Sequence, residues 1–326
     1  MKKTAKSLRL AALLLCAFIC VGVFSACTDV APATVSSGGG TDETVPKSKP
    51  VEEGRPSEAA PSQPDEVLTS GYEPEAPPAA YAERVSYFTN LSIGADVHDV
   101  FFNNSVFVGN SIMLHFSGYA SAKRTTVPGF FGDAYFFAAA SFSMYNNKHQ
   151  KPSSPDCALP SYKGERLNIG EAVEKMEVKT VYLSLMALND IALYSDGATG
   201  VAETYKLTTQ LIDELKGKNS DIIIVIISNT YLHSTGNSSA KKLNNGTIGE
   251  LNGKMLDYCN ANAIDFINVA TVLNDDGGSL GTEFCNDLGS AAPCHLNTYA
   301  YNAWTKILRD YAAQKTAGNY KNPEKM

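Results

Sequence analysis

Three side chains in this sequence have the types and positions needed for nucleophilic attack on a carbonyl carbon. Ser111 comes one residue after the apolar segment 106–109 and enters a helical pattern, so its hydroxyl could act as a nucleophile. Its own amide and the helix N-terminus could then stabilise an oxyanion. The alternative is that Ser111 only caps the helix.

Asn189 and His295 are the other two candidates. Asn189 follows a second apolar run, where its side-chain amide could donate to an oxyanion, although Asn-Asp at this point is also typical of a turn. His295 precedes the last predicted helix and could serve as general base, or could be a surface residue at a helix start. His98, His115, His149 and His233 share no spacing typical of a metal site, so no metal is expected.

The elements that would hold these residues alternate between strands and helices. Four apolar runs predict buried strands at residues 106–108, 181–186, 222–227 and 266–269. Stripes repeating at i, i+3 and i+4 predict helices around residues 207–215, 248–259 and 301–311. This alternation predicts an α/β fold, with a central parallel sheet between two helical layers and its site at the carboxyl ends of the strands.

The start of the chain is typical of an exported protein. The net charge of −7 over 326 residues argues against nucleic-acid binding. Residues 1–27 combine a basic start, a short apolar run and small residues before Cys27, which predicts a lipoprotein-type signal peptide lipidated at Cys27. A plain signal peptide and an uncleaved anchor are the alternatives, and all three place the domain outside the cytoplasm.

The rest of the chain divides at about residue 80. Residues 28–80 hold 9 of the 15 prolines and 10 acidic against 3 basic residues, so they predict a disordered acidic linker. Residues 81–326 are then one domain. The extracytoplasmic setting permits disulfides, and Cys285 and Cys294 are close enough in sequence to pair. Cys294 is also an alternative thiol nucleophile.

Taken together, the motifs resemble the SGNH/GDSL hydrolase family, in particular the secreted or lipid-anchored members of Gram-positive bacteria. The motifs are VFVGNS at 106–111, ALND at 187–190 and APCHL at 292–296, the last followed by a helix with Tyr301 and Trp304. The resemblance spans about residues 99–313. It implies the family's three-layer, flavodoxin-like α/β/α sandwich.

The resemblance also implies roles for particular residues. Ser111 would attack an ester carbonyl, with His295 as general base and then general acid. The oxyanion would be held by the Ser111 amide, by Asn189 and by a backbone amide from the segment AAASFSM (138–144), for which Ser141 is the best match. No metal or organic cofactor is implied.

One departure from the family pattern is serious. Ala292 stands where the family has the acid of its triad, three residues before His295. Three explanations remain open from the sequence. His295 could be oriented by a backbone carbonyl, Asp287 or Glu283 could supply the acid from the preceding loop, or the domain could be catalytically weak.

The sequence therefore favours one function and leaves a second open. The first is a serine esterase or acylhydrolase that removes acyl groups, such as O-acetyl groups, from a cell-envelope glycan or another small ester. The second is an inactive domain that binds envelope glycan. Both expect a membrane contact through the lipid at Cys27, and neither expects nucleic acid.

Overall fold

The computed structural model describes residues 76–326. The predicted signal peptide, Cys27 and nearly all of the predicted linker lie outside these residues. None of the described helices is both long enough and apolar enough to cross a membrane.

A five-stranded parallel sheet forms the centre of the fold, in the order β2-β1-β5-β6-β7. Its strands are β1 (Ser105–Gly109), β2 (Tyr135–Ala138), β5 (Thr180–Ser184), β6 (Ile223–Ile227) and β7 (Asp265–Ile267). A separate antiparallel hairpin consists of β3 (Ser161–Tyr162) and β4 (Glu165–Arg166). The four strands predicted from apolar runs are confirmed to within two residues at each end. β2 was not predicted, because it is a short edge strand whose first residue, Tyr135, is exposed.

Helices fill the connections between the strands. They are α1 (Tyr81–Asn90), α2 (Ser111–Arg124), α3 (Met144–His149), α4 (Ile169–Met176), α5 (Ala187–Leu193), α6 (Gly197–Lys218), α7 (Asn245–Ala261) and α8 (Thr298–Thr316). Short 3₁₀ helices cover Val97–Phe102, Thr271–Leu273 and Thr282–Phe284. The three predicted helical stripes are confirmed as α6, α7 and α8.

The helices pack as two groups, one on each side of the sheet. Helix α8 packs with α1 and α2, whereas α6 packs with α3, α4, α5 and α7. The chain moves from β1 outward to β2, then returns to β5 and continues outward through β6 to β7. This reversal between β1 and β5 opens a crevice at their carboxyl ends, where sites of parallel sheets form. The predicted three-layer α/β/α architecture is confirmed.

Gly109 allows helix α2 to begin directly at the end of β1. A Cβ atom at this position would lie 2.6 Å from the Cβ of Met113 and 3.2 Å from the Cβ of Ser184. Any larger residue would therefore push α2 away from the sheet. The absence of a side chain at Gly109 fixes how close the start of α2 lies to the neighbouring strand β5.

A buried ion pair ties the C-terminal helix to the start of the domain. The Nε and Nη2 atoms of Arg309 donate to the two carboxylate oxygens of Asp99 at 3.0 and 2.7 Å, and Nη2 also donates to the Gly94 carbonyl at 2.9 Å. Both charged side chains are almost fully buried. This bidentate contact joins α8 to the 3₁₀ helix before β1.

Replacing Arg309 with alanine is expected to lower the free energy of unfolding by about 3–5 kcal/mol, because it leaves the buried Asp99 carboxylate without a partner. Urea denaturation of the purified chain measures this change. Lys175→Ala is the matched control, since it breaks an ion pair with Glu165 whose side chains are 47% and 61% exposed. That change should cost less than about 1 kcal/mol. Equal costs for the two variants would contradict the prediction.

Candidate active site

Ser111, His295 and Asp287 form a continuous chain of contacts at the crevice. The Oγ atom of Ser111 lies 3.0 Å from Nε2 of His295, and Nδ1 of His295 lies 2.7 Å from Oδ2 of Asp287. A neutral imidazole that donates its Nδ1 proton to Asp287 presents Nε2 as an acceptor to the serine hydroxyl. This is the arrangement in which a histidine can take the proton of a serine nucleophile.

The Ser111 hydroxyl is not used to cap helix α2. Asn110 is the N-cap residue, and its side-chain oxygen accepts a hydrogen bond from the Ile112 amide at 3.0 Å. Ser111 is the first residue of the helix, where backbone amides have no acceptor within the helix. The alternative that Ser111 is only an N-cap residue is therefore wrong, because the side chain of Asn110 caps the helix.

Antiparallel backbone pairing between residues 284–286 and 295–297 brings Asp287 next to His295. The amide of Asn286 donates to the His295 carbonyl at 2.8 Å, and the amide of Asn297 donates to the Phe284 carbonyl at 3.0 Å. Oδ1 of Asp287 also accepts the amides of Cys294 and His295, at 2.9 and 3.0 Å. The carboxylate is thus oriented by the backbone on one oxygen and faces the imidazole with the other.

Of the two acids considered for the place left by Ala292, the structure brings only Asp287 to the histidine. Glu283 instead accepts a hydrogen bond from the Tyr81 hydroxyl of helix α1. Ala292 itself packs against Gly236, since a Cβ built on that glycine would lie 3.1 Å from the Ala292 Cα. The carboxylate beside His295 therefore comes from eight residues upstream rather than three.

The charge balance favours an ionised Asp287 and a neutral His115. Burial works to raise the pKa of Asp287, but the hydrogen bond and charge of His295 outweigh it and hold the pKa below its ordinary value. His115, one helical turn after Ser111, has its ring centre 5.1 Å from that of His295. Desolvation, and then the neighbouring His295, lower the pKa of His115. His115 therefore adds no positive charge beside His295 at neutral pH.

Asn189 lies in helix α5, one turn beyond the strand, rather than at the strand end itself. One proton of its side-chain amide is donated to the Phe142 carbonyl at 2.9 Å. That bond fixes the amide plane and leaves the second N–H for another acceptor. It also ties Asn189 to the segment 138–144 that contains Ser141.

Ser141 adopts a backbone conformation that favours glycine. Its φ angle is 59°, in the left-handed region that non-glycine residues rarely occupy. The Ser141 carbonyl accepts a hydrogen bond from the Asn146 side chain at 2.9 Å, which holds this turn in place. A serine thus occupies a left-handed turn, and the hydrogen bond from Asn146 helps to hold it there.

The buried carboxylate of Asp190 holds the end of the same segment, where helix α3 begins. Its two carboxylate oxygens accept the amides of Met144 and Tyr145 at 2.8 and 2.9 Å, at the start of α3. Burial raises the pKa of Asp190 to about 7, although the two hydrogen bonds favour the charged form and act to lower the pKa. The folded chain therefore keeps this proton to a higher pH than the unfolded chain. The contribution of Asp190 to stability falls as the pH rises from about 4 to about 7.

Two buried asparagines support the segment 187–190 that contains Asn189, and the sequence analysis did not single out the first of them, Asn229. Oδ1 of Asn229, just after β6, accepts the amide of Ala187 at 2.8 Å. Asn252 of helix α7 accepts from both the amide and the side chain of Asn229, and returns a bond to the Asn229 carbonyl. The signal in the sequence was the position of Asn229 directly after a strand, at the same edge of the sheet as Ser111.

The cysteines near the site are not bonded to one another. All four cysteines within residues 76–326 are free thiols, so the Cys285–Cys294 pairing left open by the sequence is not formed. Burial raises the pKa of the Cys294 thiol well above its usual range, which argues against a thiolate nucleophile there. Cys285 donates to Oδ1 of Asp287 at 3.3 Å.

Removing the side-chain amide of Asn189 is expected to lower kcat for an aryl ester by about 10²–10³-fold, the usual cost of losing one oxyanion donor. Steady-state kinetics of Asn189→Ala measures it, and KM should change little. Asn262→Ala is the matched control, since that exposed asparagine only bonds within the end of helix α7. An unchanged kcat in Asn189→Ala would exclude the amide as an oxyanion donor.

Comparison with known proteins gives structural likenesses only. No model of a protein family matches the sequence, and no curated protein matches it. A GDSL-like lipase from Bacteroides thetaiotaomicron is similar in structure, with 16% identity and a TM-score of 0.46, over 72% of this chain and 98% of that chain.

Two further solved structures are similar at the same level. A carbohydrate acetylesterase family member from Sinorhizobium meliloti has 14% identity and a TM-score of 0.43, over 66% of this chain and 99% of that chain. The acetyl xylan esterase AlAXEase has 13% identity and a TM-score of 0.43, over 65% of this chain and 98% of that chain.

Proposed function

We propose that this chain is a serine ester hydrolase of the SGNH/GDSL type. The observation that carries the proposal is the 2.7 Å contact between Oδ2 of Asp287 and Nδ1 of His295. It supplies the carboxylate that the motif at Ala292 lacks, on the opposite side of the imidazole from Ser111. A site with a nucleophile, a base and an orienting acid in contact has the composition needed for acyl transfer.

The mechanism follows from these positions. As the Ser111 oxygen attacks the ester carbonyl, its proton passes to Nε2 of His295, and Asp287 stabilises the imidazolium that forms. The amide of Ser111, the free N–H of Asn189 and the amide of Ser141 are the proposed donors to the oxyanion. His295 then returns the proton to the leaving alcohol. Water, activated by the same histidine, attacks the acyl-enzyme and releases the acid.

The competing function was a glycan-binding domain without activity. It rested on the missing acid at Ala292. The contact between the Asp287 carboxylate and His295 supports catalysis instead. The Asn189 side-chain amide, oriented by its hydrogen bond to the Phe142 carbonyl, keeps a second N–H that supports oxyanion binding.

The proposed substrate is an acyl ester on a cell-envelope glycan, such as an O-acetyl group. This rests on the export signal, the lipid site at Cys27 and the acidic linker predicted from residues 1–80. These features would hold the domain outside the cytoplasm on a tether attached to the membrane. No metal or organic cofactor takes part in the proposed reaction.

Two measurements test the proposal in sequence. A fluorophosphonate probe should add to the chain in a one-to-one ratio, and peptide mass spectrometry should locate the adduct on Ser111. Acetate release from O-acetylated cell-wall glycan should then exceed that from the Ser111→Ala chain. Labelling at another residue, or none, would exclude the mechanism. Labelling without acetate release would exclude only the glycan substrate.

A further inference from the structure

We propose that Asp287, Cys294 and His295 form a binding site for a thiol-seeking divalent cation such as Zn²⁺, and that the bound ion switches the site off. Sequence spacing gave no indication of it, since no two of the three residues have the spacing of a known metal motif. The turn that brings Asp287 to His295 also brings the Cys294 thiol there. The inhibitory consequence rests on the proposed esterase function, but the binding does not.

The ligand atoms lie close enough for one ion. Nδ1 of His295 is 2.7 Å from Oδ2 of Asp287 and 4.0 Å from Sγ of Cys294, and the three ligand atoms all lie within 4.8 Å of one another. In a tetrahedral zinc site, sulfur and nitrogen ligands lie about 3.5 Å apart, and nitrogen and oxygen ligands about 3.4 Å apart. To bind the ion, the distance between Sγ of Cys294 and Nδ1 of His295 must therefore shrink by about 0.5 Å. The distance between Nδ1 of His295 and Oδ2 of Asp287 must widen by about 0.7 Å.

The chemistry of the three ligands selects the ion. A thiolate, an imidazole and a carboxylate suit Zn²⁺ or Cd²⁺, whereas Mg²⁺ and Ca²⁺ prefer an all-oxygen set. The site is also reachable, since the side chains of His295 and Asp287 are 29% and 17% exposed. The fourth coordination position is left to solvent on this open side.

Binding changes the state of the catalytic histidine without changing any oxidation state. Bonds form from the ion to Sγ of Cys294, Nδ1 of His295 and Oδ2 of Asp287. The thiol proton leaves to solvent, and the imidazole proton moves from Nδ1 to Nε2, so one proton is released for each ion bound. With a proton on Nε2, His295 can no longer accept the proton of Ser111, and attack on the ester stops.

Cadmium is the probe for binding, because a cadmium–thiolate bond absorbs in the ultraviolet. The full chain, kept reduced, should give this band with one Cd²⁺ per chain, and EDTA should remove it. Cys294→Ser should lose the band or weaken binding at least about tenfold. Cys157→Ser is the matched control, because that half-exposed thiol has no place among the three ligands. Circular dichroism checks that each variant is folded, and Cys294→Ala serves as a second variant.

Esterase assays with Zn²⁺ test the consequence separately. Zn²⁺ should inhibit the full chain and Cys157→Ser alike, spare Cys294→Ser, and be reversed by EDTA, while Mg²⁺ has no effect. Ser111→Ala should keep the cadmium band, so binding is measured independently of activity. No band in the full chain, or the same band in Cys294→Ser, would overturn the site. A band with undiminished activity at saturating Zn²⁺ would overturn the switch. A band in a chain without esterase activity would support the site and refute the proposed function.

Discussion

Ser111→Ala is expected to reduce kcat for p-nitrophenyl acetate by about 10⁴–10⁶-fold, the range seen when the nucleophile of a comparable site is removed. In the proposed mechanism the Ser111 hydroxyl oxygen forms the acyl bond, so no neighbouring group can replace it. The oxyanion donors remain in this variant, so a small activity above the uncatalysed rate should persist. Initial rates of the purified chain, measured against buffer alone, give the ratio.

The control lies on the same helix. Ser117→Ala removes a hydroxyl that bonds only to the Leu114 carbonyl of its own helix, at 2.7 Å, and should leave kcat unchanged. His295→Ala should match Ser111→Ala, and the double variant should be no worse than either, because the two residues act as one unit. Additive losses, or a Ser111→Ala chain as active as the wild type, would exclude the serine mechanism.

Asp287→Asn is expected to lower kcat by about 10⁴-fold while KM changes little, as in other triads that lose the charge of the acid. Asparagine cannot stabilise the imidazolium that forms during attack. The carboxylate now accepts hydrogen bonds from Nδ1 of His295 and from the backbone amides of Cys294 and His295. The NH₂ group of an asparagine would place a donor against one of these donors. Because the hydrogen bond and charge of His295 hold the pKa of Asp287 below its ordinary value, the carboxylate is charged at neutral pH.

Glu283→Gln separates the two acids that the sequence could not distinguish. Glu283 accepts a hydrogen bond from the Tyr81 hydroxyl and does not contact the histidine, so kcat of this variant should equal that of the wild type. Circular dichroism and urea denaturation show whether either variant has lost structure, since Asp287 also orders its loop. Full activity in Asp287→Asn would mean that His295 is oriented by a backbone carbonyl instead. A large loss in Glu283→Gln would move the acid to that residue.

The sequence by itself was sufficient to predict four of the five strands of the sheet and the candidate residues at their carboxyl ends. The unbroken apolar run at 222–227 favoured a strand covered on both faces, because six consecutive β-branched side chains leave no polar face for solvent. Helices α6, α7 and α8 followed from their apolar stripes in the same way. Ser111 was placed correctly because its position depends on local order alone, a strand followed at once by a helix.

Tertiary structure alone decided which acid contacts His295. Asp287 and Glu283 both lie in the loop before the histidine, and nothing in their types or spacing separates them. The choice depends on an antiparallel pairing between residues 284–287 and 294–297, which sets Asp287 opposite Cys294 and leaves Glu283 to helix α1. The same pairing places the Cys294 thiol beside the imidazole. Backbone pairing between loops depends on packing over the whole domain. The contacts of His295 with Asp287 and with Cys294 therefore cannot be predicted from a local pattern of residues.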